Sequence, residues 1–327
     1  NFNQMADNIE KYNNEREKSA KESQRRLKIT EVYTRRSLVD FVEQGGDPTK
    51  YQPENRKISV LFSDIRDFTE ISENLTPMQV VNLLNKYFDK MNNHIMQNKG
   101  EIDKLIGDCI MAAFKNPDDS VISAIEMRKE LEKLNSLELP EFFNNGLEFK
   151  RLNNGIGINY GTAVVGNIGS NSKMDYTLIG DIVNTASRLE ALTKYYGVGI
   201  LISEDLKKQL QIPHHIRPID LAVVKGKKQP VTIYEVYDYE DEKTINIKKE
   251  IQDSLDKAFD FYVNGEFEES EKIYKSLIDK LGPHKYRKEI CADPILNFYL
   301  NRVMRLKEKK NAGLLRNWTG VYEFKDK

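Results

Sequence analysis

The sequence predicts an α+β fold in which helices lie outside a mostly antiparallel sheet. Short apolar runs that alternate with polar residues are typical of strands, and they are interleaved with segments of helical periodicity. A Gly-Asp dipeptide between two short apolar runs is typical of a hairpin turn. The resulting order, strand–helix–hairpin–helix–strand, favours an α+β sandwich.

Composition limits the classes of protein that fit. The 327 residues include 50 Lys and Arg against 51 Asp and Glu, with a net charge of -1. Length suggests about two domains, and this balance gives no support for nucleic-acid binding. No run approaches the roughly 20 apolar residues of a membrane helix, and no signal peptide is visible. Two cysteines make a disulfide framework improbable and favour a reducing cytosol, and the four histidines lack zinc-ligand spacing.

Residues 1–43 are predicted to be mostly helical. A coiled-coil seam is spaced three, four and three residues apart at Phe2, Met5, Ile9 and Tyr12. Residues 2–9 resemble the last helix of a HAMP linker, a parallel dimeric module that follows membrane spans in bacterial receptors. The resemblance implies a cytoplasmic part of a membrane receptor, connected to the membrane only through a missing N-terminal part. Residues 45–48, Gly-Gly-Asp-Pro, are expected to end the helix.

Two carboxylates mark the predicted sheet. Asp64 stands where the alternating strand of Ile58, Val60 and Phe62 stops, and a carboxylate at a strand end is held rigidly yet reaches solvent. Asp108 lies in the Gly-Asp hairpin turn. If the hairpin lies beside the first strand, the two carboxylates converge. They can then hold two Mg²⁺ ions, which suits phosphoryl chemistry.

The next elements are two predicted helices and a loop. Thr76 and Pro77 open the first helix as cap and first residue. Its predicted core residues are Val80, Val81, Leu84, Tyr87, Phe88 and Met91. Ser120 is predicted to cap a second helix that ends near residue 134, and residues 135–149 are predicted to form a loop.

Strands follow at residues 154–160 and 163–168, which we expect to join at Gly161, and at 174–179. A helix is predicted at 181–196. Asn184 and Arg188, four residues apart, share one of its faces and can point at one ligand. The alternative for Arg188 is an ordinary helix-surface ion pair with Glu190 or a neighbour. Strand-like runs at 199–202, 216–224 and 231–237 complete the sheet.

The composition becomes helical throughout from about residue 245. The pattern resembles a tetratricopeptide-type helical hairpin with a second, degenerate unit. One and a half repeats are too few to stand alone, so we expect this tail to pack on the rest of the chain or on a partner. Trp318, the only tryptophan, is expected to be a buried anchor.

Three motifs carry a family resemblance. FSDIRDFT, DKLIGD and YTLIGDIVNTASRLE, in this order, resemble signature blocks of the class III nucleotide cyclase catalytic domain. The resemblance covers about residues 55–240 and implies a ferredoxin-like or palm-type antiparallel sheet with outer helices. It divides the chain into a HAMP end and signalling helix at 1–43, a catalytic domain at 44–240 and a tetratricopeptide-like tail at 245–327.

The resemblance implies an adenylate cyclase that converts ATP to 3′,5′-cyclic AMP and pyrophosphate in a head-to-tail homodimer. Asp64 and Asp108 match the family's ligands for two Mg²⁺ or Mn²⁺ ions, and the Ile65 backbone would contact the second metal or the phosphates. Asn184 and Arg188, from the other subunit, match the transition-state pair.

Four further residues match substrate-binding positions. Lys104 matches the base-recognition lysine and favours ATP, because an ammonium donor suits adenine N1. Thr177 matches the second base position and marks the subgroup called IIIb. Lys225 matches a lysine for the terminal phosphates, and Lys227 could serve instead.

Two alternatives stay open. The chain could be a non-catalytic regulatory or scaffolding dimer that only binds nucleotide. It could also be a guanylate cyclase, which Lys104 disfavours because guanine presents donors at N1 and N2.

Overall fold

The computed structural model describes residues 12–13, 16–23, 36–47, 52–143, 150–170, 173–223, 231–283, 291–315 and 318–323. The chain forms two compact units. One consists of Asn1–Glu54 and Val165–Leu178, and the other of Asn55–Val164 and Ile179–Lys327. The HAMP-like residues 2–9 lie outside the described residues.

The strands are β1 (Glu54–Ile65), β2 (Glu101–Ile106), β3 (Cys109–Phe114), β4 (Asn154–Ser170), β5 (Lys173–Ile179), β6 (Ile200–Ser203), β7 (Ile216–Val223), β8 (Val231–Val236) and β9 (Tyr322–Glu323). Their order is β2-β3-β1-β4-β6-β8-β7-β9, and β5 pairs with β4. The pairs β1–β3, β2–β3, β6–β8 and β7–β8 are antiparallel, whereas β4–β6 and β7–β9 are parallel. The predicted α+β class, with a mainly antiparallel sheet, is confirmed.

The helices are α1 (Arg36–Glu43), α2 (Phe68–Ser72), α3 (Pro77–Gln97), α4 (Pro117–Lys133), α5 (Leu139–Phe142), α6 (Asp181–Tyr196), α7 (Glu204–Lys207), α8 (Glu242–Val263), α9 (Phe267–Leu281) and α10 (Pro294–Asn311). A π-helical turn, Leu134–Glu138, joins α4 to α5. Among the described residues, no helical segment combines the length and the hydropathy that a membrane span requires.

The start of α3 follows the sequence prediction. Thr76 caps the helix in a reciprocal capping box with Gln79, and Pro77 takes the first position. Tyr87, Phe88 and Met91 are buried, but Val81 is 49% exposed. The prediction that Val81 is a core residue is wrong, because this position lies on the solvent face of the helix.

The second predicted helix begins earlier than expected. Asn116 caps α4 by accepting the amide N–H of Asp118, whereas Ser120 lies inside the helix and donates its hydroxyl to the Pro117 carbonyl. The predicted loop at 135–149 is wrong in its first half, where the π-helical turn and α5 lie. Asn135 stabilises this region by pairing with both backbone groups of Leu152 at 2.8 Å.

Strand β4 runs without a break where two strands were expected. The predicted join at Gly161 is wrong, because this glycine serves close packing and not a turn. A Cβ atom at Gly161 would lie 2.7 Å from Cγ2 of Ile182 at the start of α6.

Two hydrophobic clusters cover the sheet. The first contains buried residues of β1, β3, α3 and α4, among them Leu61, Phe114, Tyr87 and Met127. The second joins α6, β6, β7 and β8 to the C-terminal helices α8, α9 and α10. The tail therefore packs on α6, β6, β7 and β8 of its own chain, which is the first of the two arrangements we expected.

Trp318 packs against the C-terminal end of α8. Its indole N–H donates to the carbonyls of Tyr262 and Val263, both at 3.0 Å. Its ring packs edge-on against Tyr262 and Phe267. The side chain is only half-buried, so the prediction of a fully buried anchor is wrong in degree.

Candidate active site

The strand register brings Asp64 and Asp108 to the same end of the sheet. Ser63 of β1 lies opposite Ile110 of β3, and Ile106 pairs with Cys109. Gly107 and Asp108 are thus left as a two-residue turn, in which Gly107 has φ 64°. Asp64 immediately follows Ser63, so both carboxylates project from neighbouring strand ends, as the sequence predicts.

The two carboxyl groups repel one another. Burial, and then the charge of Asp108, raise the pKa of Asp64 from 3.8 to about 7. The two side chains are also hydrogen-bonded to each other, and the Ile65 amide donates to Asp64. A pair of adjacent carboxyl groups supplies hard oxygen donors, which fit a divalent cation. The described residues contain no cluster of three or more His, Cys, Asp or Glu side chains that could hold a metal.

A buried polar network fixes the end of β1 behind this pair. The Asn154 amide donates to the Ser63 hydroxyl at 3.1 Å and to the Tyr87 hydroxyl at 3.0 Å, and the two hydroxyls lie 3.3 Å apart. Burial raises the pKa of Tyr87 to about 12, so the network stays neutral around Asp64. Satisfied buried networks of this kind hold a strand end in one position.

The acidic pair opens into a cleft of about 430 Å³. Its lining is mostly acidic and consists of Asp64, Ile65, Asp67, Phe68, Thr69, Glu70, Glu73, Asp108 and Lys194. Lys194 Nζ donates to Asp67 Oδ1 at 2.7 Å. A cleft with this excess of carboxylates attracts cations.

Helix α6 lies close against β4 because two glycines leave room for it. A Cβ atom at Gly157 would lie 2.0 Å from the Glu190 amide nitrogen and 2.5 Å from the Ala186 carbonyl oxygen. One at Gly155 would lie 3.1 Å from the Glu190 carboxylate. Burial, and then the charge of Asp64, raise the pKa of Glu190 to about 7, so this side chain belongs to the acidic surroundings of the site.

Asn184 and Arg188 lie on a different face of α6. At about 100° per residue, Arg188 is roughly 160° around the helix from both Ala186 and Glu190, the residues that meet β4. Asn184 is exposed and Arg188 is half-buried. Arg188 forms no ion pair within the described part of the chain, and the alternative pairing with Glu190 is not made.

Residues 50–237, more than half of the chain, match the family model of the adenylate and guanylate cyclase catalytic domain. The chain belongs to the adenylate and guanylate cyclase family. Helix α6 and the turn that carries Asp108 both lie inside the matched region. The C-terminal helices α8, α9 and α10 lie beyond it.

Several relatives of this cyclase-family chain are named adenylate cyclases. That of Anabaena cylindrica is 44% identical over 203 residues, which are 61% of this chain and 39% of the relative. A terminal-differentiation specific enzyme of Dictyostelium discoideum is 35% identical over 218 residues, 66% of this chain and 10% of the relative. The chain thus spans less than half the length of these two proteins.

Two solved structures resemble the fold. A bacterial light-regulated adenylyl cyclase has 30% identity and a TM-score of 0.60, over 70% of this chain and 67% of that chain. The adenylyl cyclase CyaB from P. aeruginosa has 36% identity and a TM-score of 0.51, over 57% of this chain and 96% of that chain. These likenesses support the class III fold that the motifs predict.

The remaining predicted site residues of this cyclase domain are placed as follows. Lys104 is half-buried on β2, opposite Met111 of β3, and its Nζ lies 3.5 Å from Asp103. Thr177 is buried on β5, in the unit that contains Val165–Leu178. Lys225 and Lys227 lie outside the described residues.

Sequence reasoning missed the contributions of Glu190 and Lys194 to this site. The available signal was helical spacing: Ala186, Glu190 and Lys194 are four residues apart and share one face of α6. The alternate glycines of β4, Gly155 and Gly157, indicate which face approaches the sheet. Together these patterns place two further charged groups around the predicted metal pair.

Proposed function

We propose that this chain is an adenylate cyclase that converts ATP to 3′,5′-cyclic AMP and pyrophosphate. The observation that carries the proposal is the Asp64–Asp108 pair, two carboxyl groups that meet at the head of an acidic cleft. In the reaction the ribose 3′-oxygen bonds to the α-phosphorus, the bond from that phosphorus to the pyrophosphate oxygen breaks, and the hydroxyl proton is lost to solvent. The named relatives support ATP as the substrate.

Asp64, Asp108 and the Ile65 backbone would hold two Mg²⁺ or Mn²⁺ ions. When bound, such ions lower the pKa of the attacking hydroxyl and neutralise the phosphate charge. The chain's own contribution is a rigid pair of oxygen donors, because Ser63, Tyr87 and Asn154 fix the end of β1.

A second copy of the chain would complete the site. Asn184 and Arg188 lie far around α6 from the face that meets β4, so they are suited to a substrate held by the partner's acidic pair. The amide would orient the ribose, and the guanidinium would stabilise charge on the α-phosphate and the departing pyrophosphate. Two equivalent sites per head-to-tail homodimer follow from two-fold symmetry.

Specificity for adenine would come from complementary hydrogen bonds. The Lys104 ammonium donates to adenine N1, and the Thr177 hydroxyl accepts from the N6 amino group. Guanine offers donors at N1 and N2, so GTP fits Lys104 poorly. Lys225 or Lys227 would bind the terminal phosphates.

Regulation is proposed to come from an upstream receptor part through the N-terminal helix. The HAMP-like residues 2–9 and the helical residues 16–23 support this arrangement. In this proposal the catalytic domain is cytoplasmic.

The test incubates the purified chain with ATP or GTP plus Mg²⁺ or Mn²⁺ and assays both cyclic products. We expect cyclic AMP from ATP, and a loss on the order of 10³-fold in Asp108→Ala, since several kcal/mol of charge stabilisation are removed. Asp89→Ala, which removes an exposed carboxylate of α3, is the matched control and should keep wild-type activity. A wild-type chain without cyclic product would support the scaffolding alternative, whereas an Asp108→Ala variant with full activity would contradict the proposed role of the Asp64–Asp108 pair.

A further inference from the structure

The C-terminal helices pack on the end of α6. The Phe298 ring of α10 lies edge-on to Tyr195 and Tyr196 of α6, with centroids 5.0 and 4.7 Å apart. A Cβ atom at Gly197, directly after α6, would lie 2.7 Å from Cβ of Pro294, the first residue of α10. The two helix ends are therefore in direct contact.

A buried acid joins α10 to α6. Asp220 of β7 accepts from Arg302 of α10 at 2.6 Å, and its same oxygen accepts from the Tyr196 hydroxyl at 2.7 Å. All three residues are buried. The Arg302 guanidinium also lies 4.4 Å from the Phe298 ring centre. The last residue of α6 is thus held by groups from both the sheet and the tail.

A second buried cluster fixes the register of the tail. Arg217 of β7 donates to Asp293, the cap of α10, at 2.8 Å and to Glu235 of β8 at 2.6 Å. Lys248 of α8 donates to the same Glu235 at 2.7 Å. The sheet and the tail each supply one cation and one anion, and such complementary buried charges disfavour other docking positions.

The same end of α6 contacts the segment that follows Asp64 at the end of β1. Lys194 donates to Asp67, and the Arg66 guanidinium donates to the carbonyl of Val198, two residues after the helix. The tail and the segment that follows β1 therefore contact one helix end. This helix also carries Asn184 and Arg188.

We propose that the tail positions α6 for catalysis, with Phe298 and Arg302 as positioning residues that act through Tyr195 and Tyr196. The inference rests on the proposed cyclase function. A shift of about 1 Å in a catalytic group can cost roughly 10²-fold in rate, so release of the helix end should lower kcat. The KM for ATP should change little, because no substrate-binding residue is removed.

The test compares Phe298→Ala with Phe259→Ala in the chain of 327 residues. Both phenylalanines are partly buried, but Phe259 packs against Tyr262 and Tyr299, which belong to the tail itself. For each variant we measure kcat, KM and the melting temperature. Amide hydrogen exchange in α6 is measured at a temperature below the melting transitions of both variants. Phe298→Ala should lower kcat by roughly 10- to 100-fold and speed exchange in α6. Phe259→Ala should change neither, and Phe298→Leu should recover most of the kcat.

Equal kcat values for the two alanine variants would overturn the proposal, as would a lower kcat in Phe298→Ala with wild-type exchange in α6. Faster exchange with an unchanged kcat would also overturn it. A wild-type chain without cyclase activity would refute the proposed function separately. In that case the exchange comparison alone decides whether the tail holds α6.

Discussion

Two groups of charges in this molecule are built in opposite ways. At the cleft, Asp64 and Asp108 are like charges in contact, and Glu190 adds a third acid to their surroundings. Under the tail, Arg217, Asp293, Glu235 and Lys248 form ion pairs between opposite charges. Compensated buried charge gives a defined structure, whereas uncompensated charge indicates a site that needs a cation.

The pKa values express the same contrast. Burial and Asp108 raise the pKa of Asp64 to about 7. Burial acts on Asp293 as well, but the charges of Arg217 and Lys248 outweigh it and hold the pKa of Asp293 below its usual value. The neighbours of Asp64 and Asp293 thus shift the pKa values of these two aspartates in opposite directions.

The largest expected effect separates activity from stability at the cleft. Asp64→Asn should lower cyclase activity on the order of 10³-fold, because a proposed metal ligand is lost. It should leave the free energy of unfolding unchanged or higher in metal-free buffer at pH 8, since like-charge repulsion is removed. Steady-state assays and urea unfolding test this. A variant that is both inactive and strongly destabilised would mean that the pair is structural.

The buried cluster of Arg217, Asp293, Glu235 and Lys248 should show the reverse, because its charges stabilise the fold. Asp293→Ala leaves Arg217 short of a buried partner and should lower the free energy of unfolding by about 3–5 kcal/mol. Glu250→Ala, which removes an exposed partner of Lys280 in the same tail, is the control and should cost less than about 1 kcal/mol. Urea unfolding measures both variants. Similar losses would show that the buried cluster has no special role.

The sequence predicted the two regions unequally. The Gly-Asp turn and the alternation of β1 are local signals, so the strand ends that carry Asp64 and Asp108 could be predicted from pattern. Their meeting depends on the pairing of β1 with β3, which the pattern left as a condition. Arg217 and Asp293 are 76 positions apart, and no local pattern links them. Gly161 was misread because a glycine in a strand can mark either a turn or a close approach, and only the position of Ile182 decides between them.

A smaller effect concerns pH. Because the folded-state pKa of Asp64 is raised, the stability that this group contributes is fully present below pH 3.8 and is lost as the pH rises through about 7. Because the pKa of Asp293 is lowered, its contribution is present above pH 3.8 and is lost as the pH falls through the folded-state value.

Protons and metal should therefore compete at the cleft. We expect Mn²⁺ affinity to rise about tenfold per pH unit up to pH 7 and then to level off. Calorimetric titration between pH 5.5 and 8.5 measures this affinity. In Asp108→Asn, the pH at which the affinity levels off should be lower. A flat affinity profile for the wild-type chain would contradict this competition.

The most direct test of the shared site mixes two inactive variants, Asp64→Ala and Arg188→Ala. If the acidic pair of one copy works with Arg188 of the other, a mixed dimer keeps one intact site. Random exchange of subunits should then restore about a quarter of wild-type cyclic AMP formation. A mixture that exchanges subunits, shown by pull-down of differently tagged copies, yet stays as inactive as either variant alone would contradict the account.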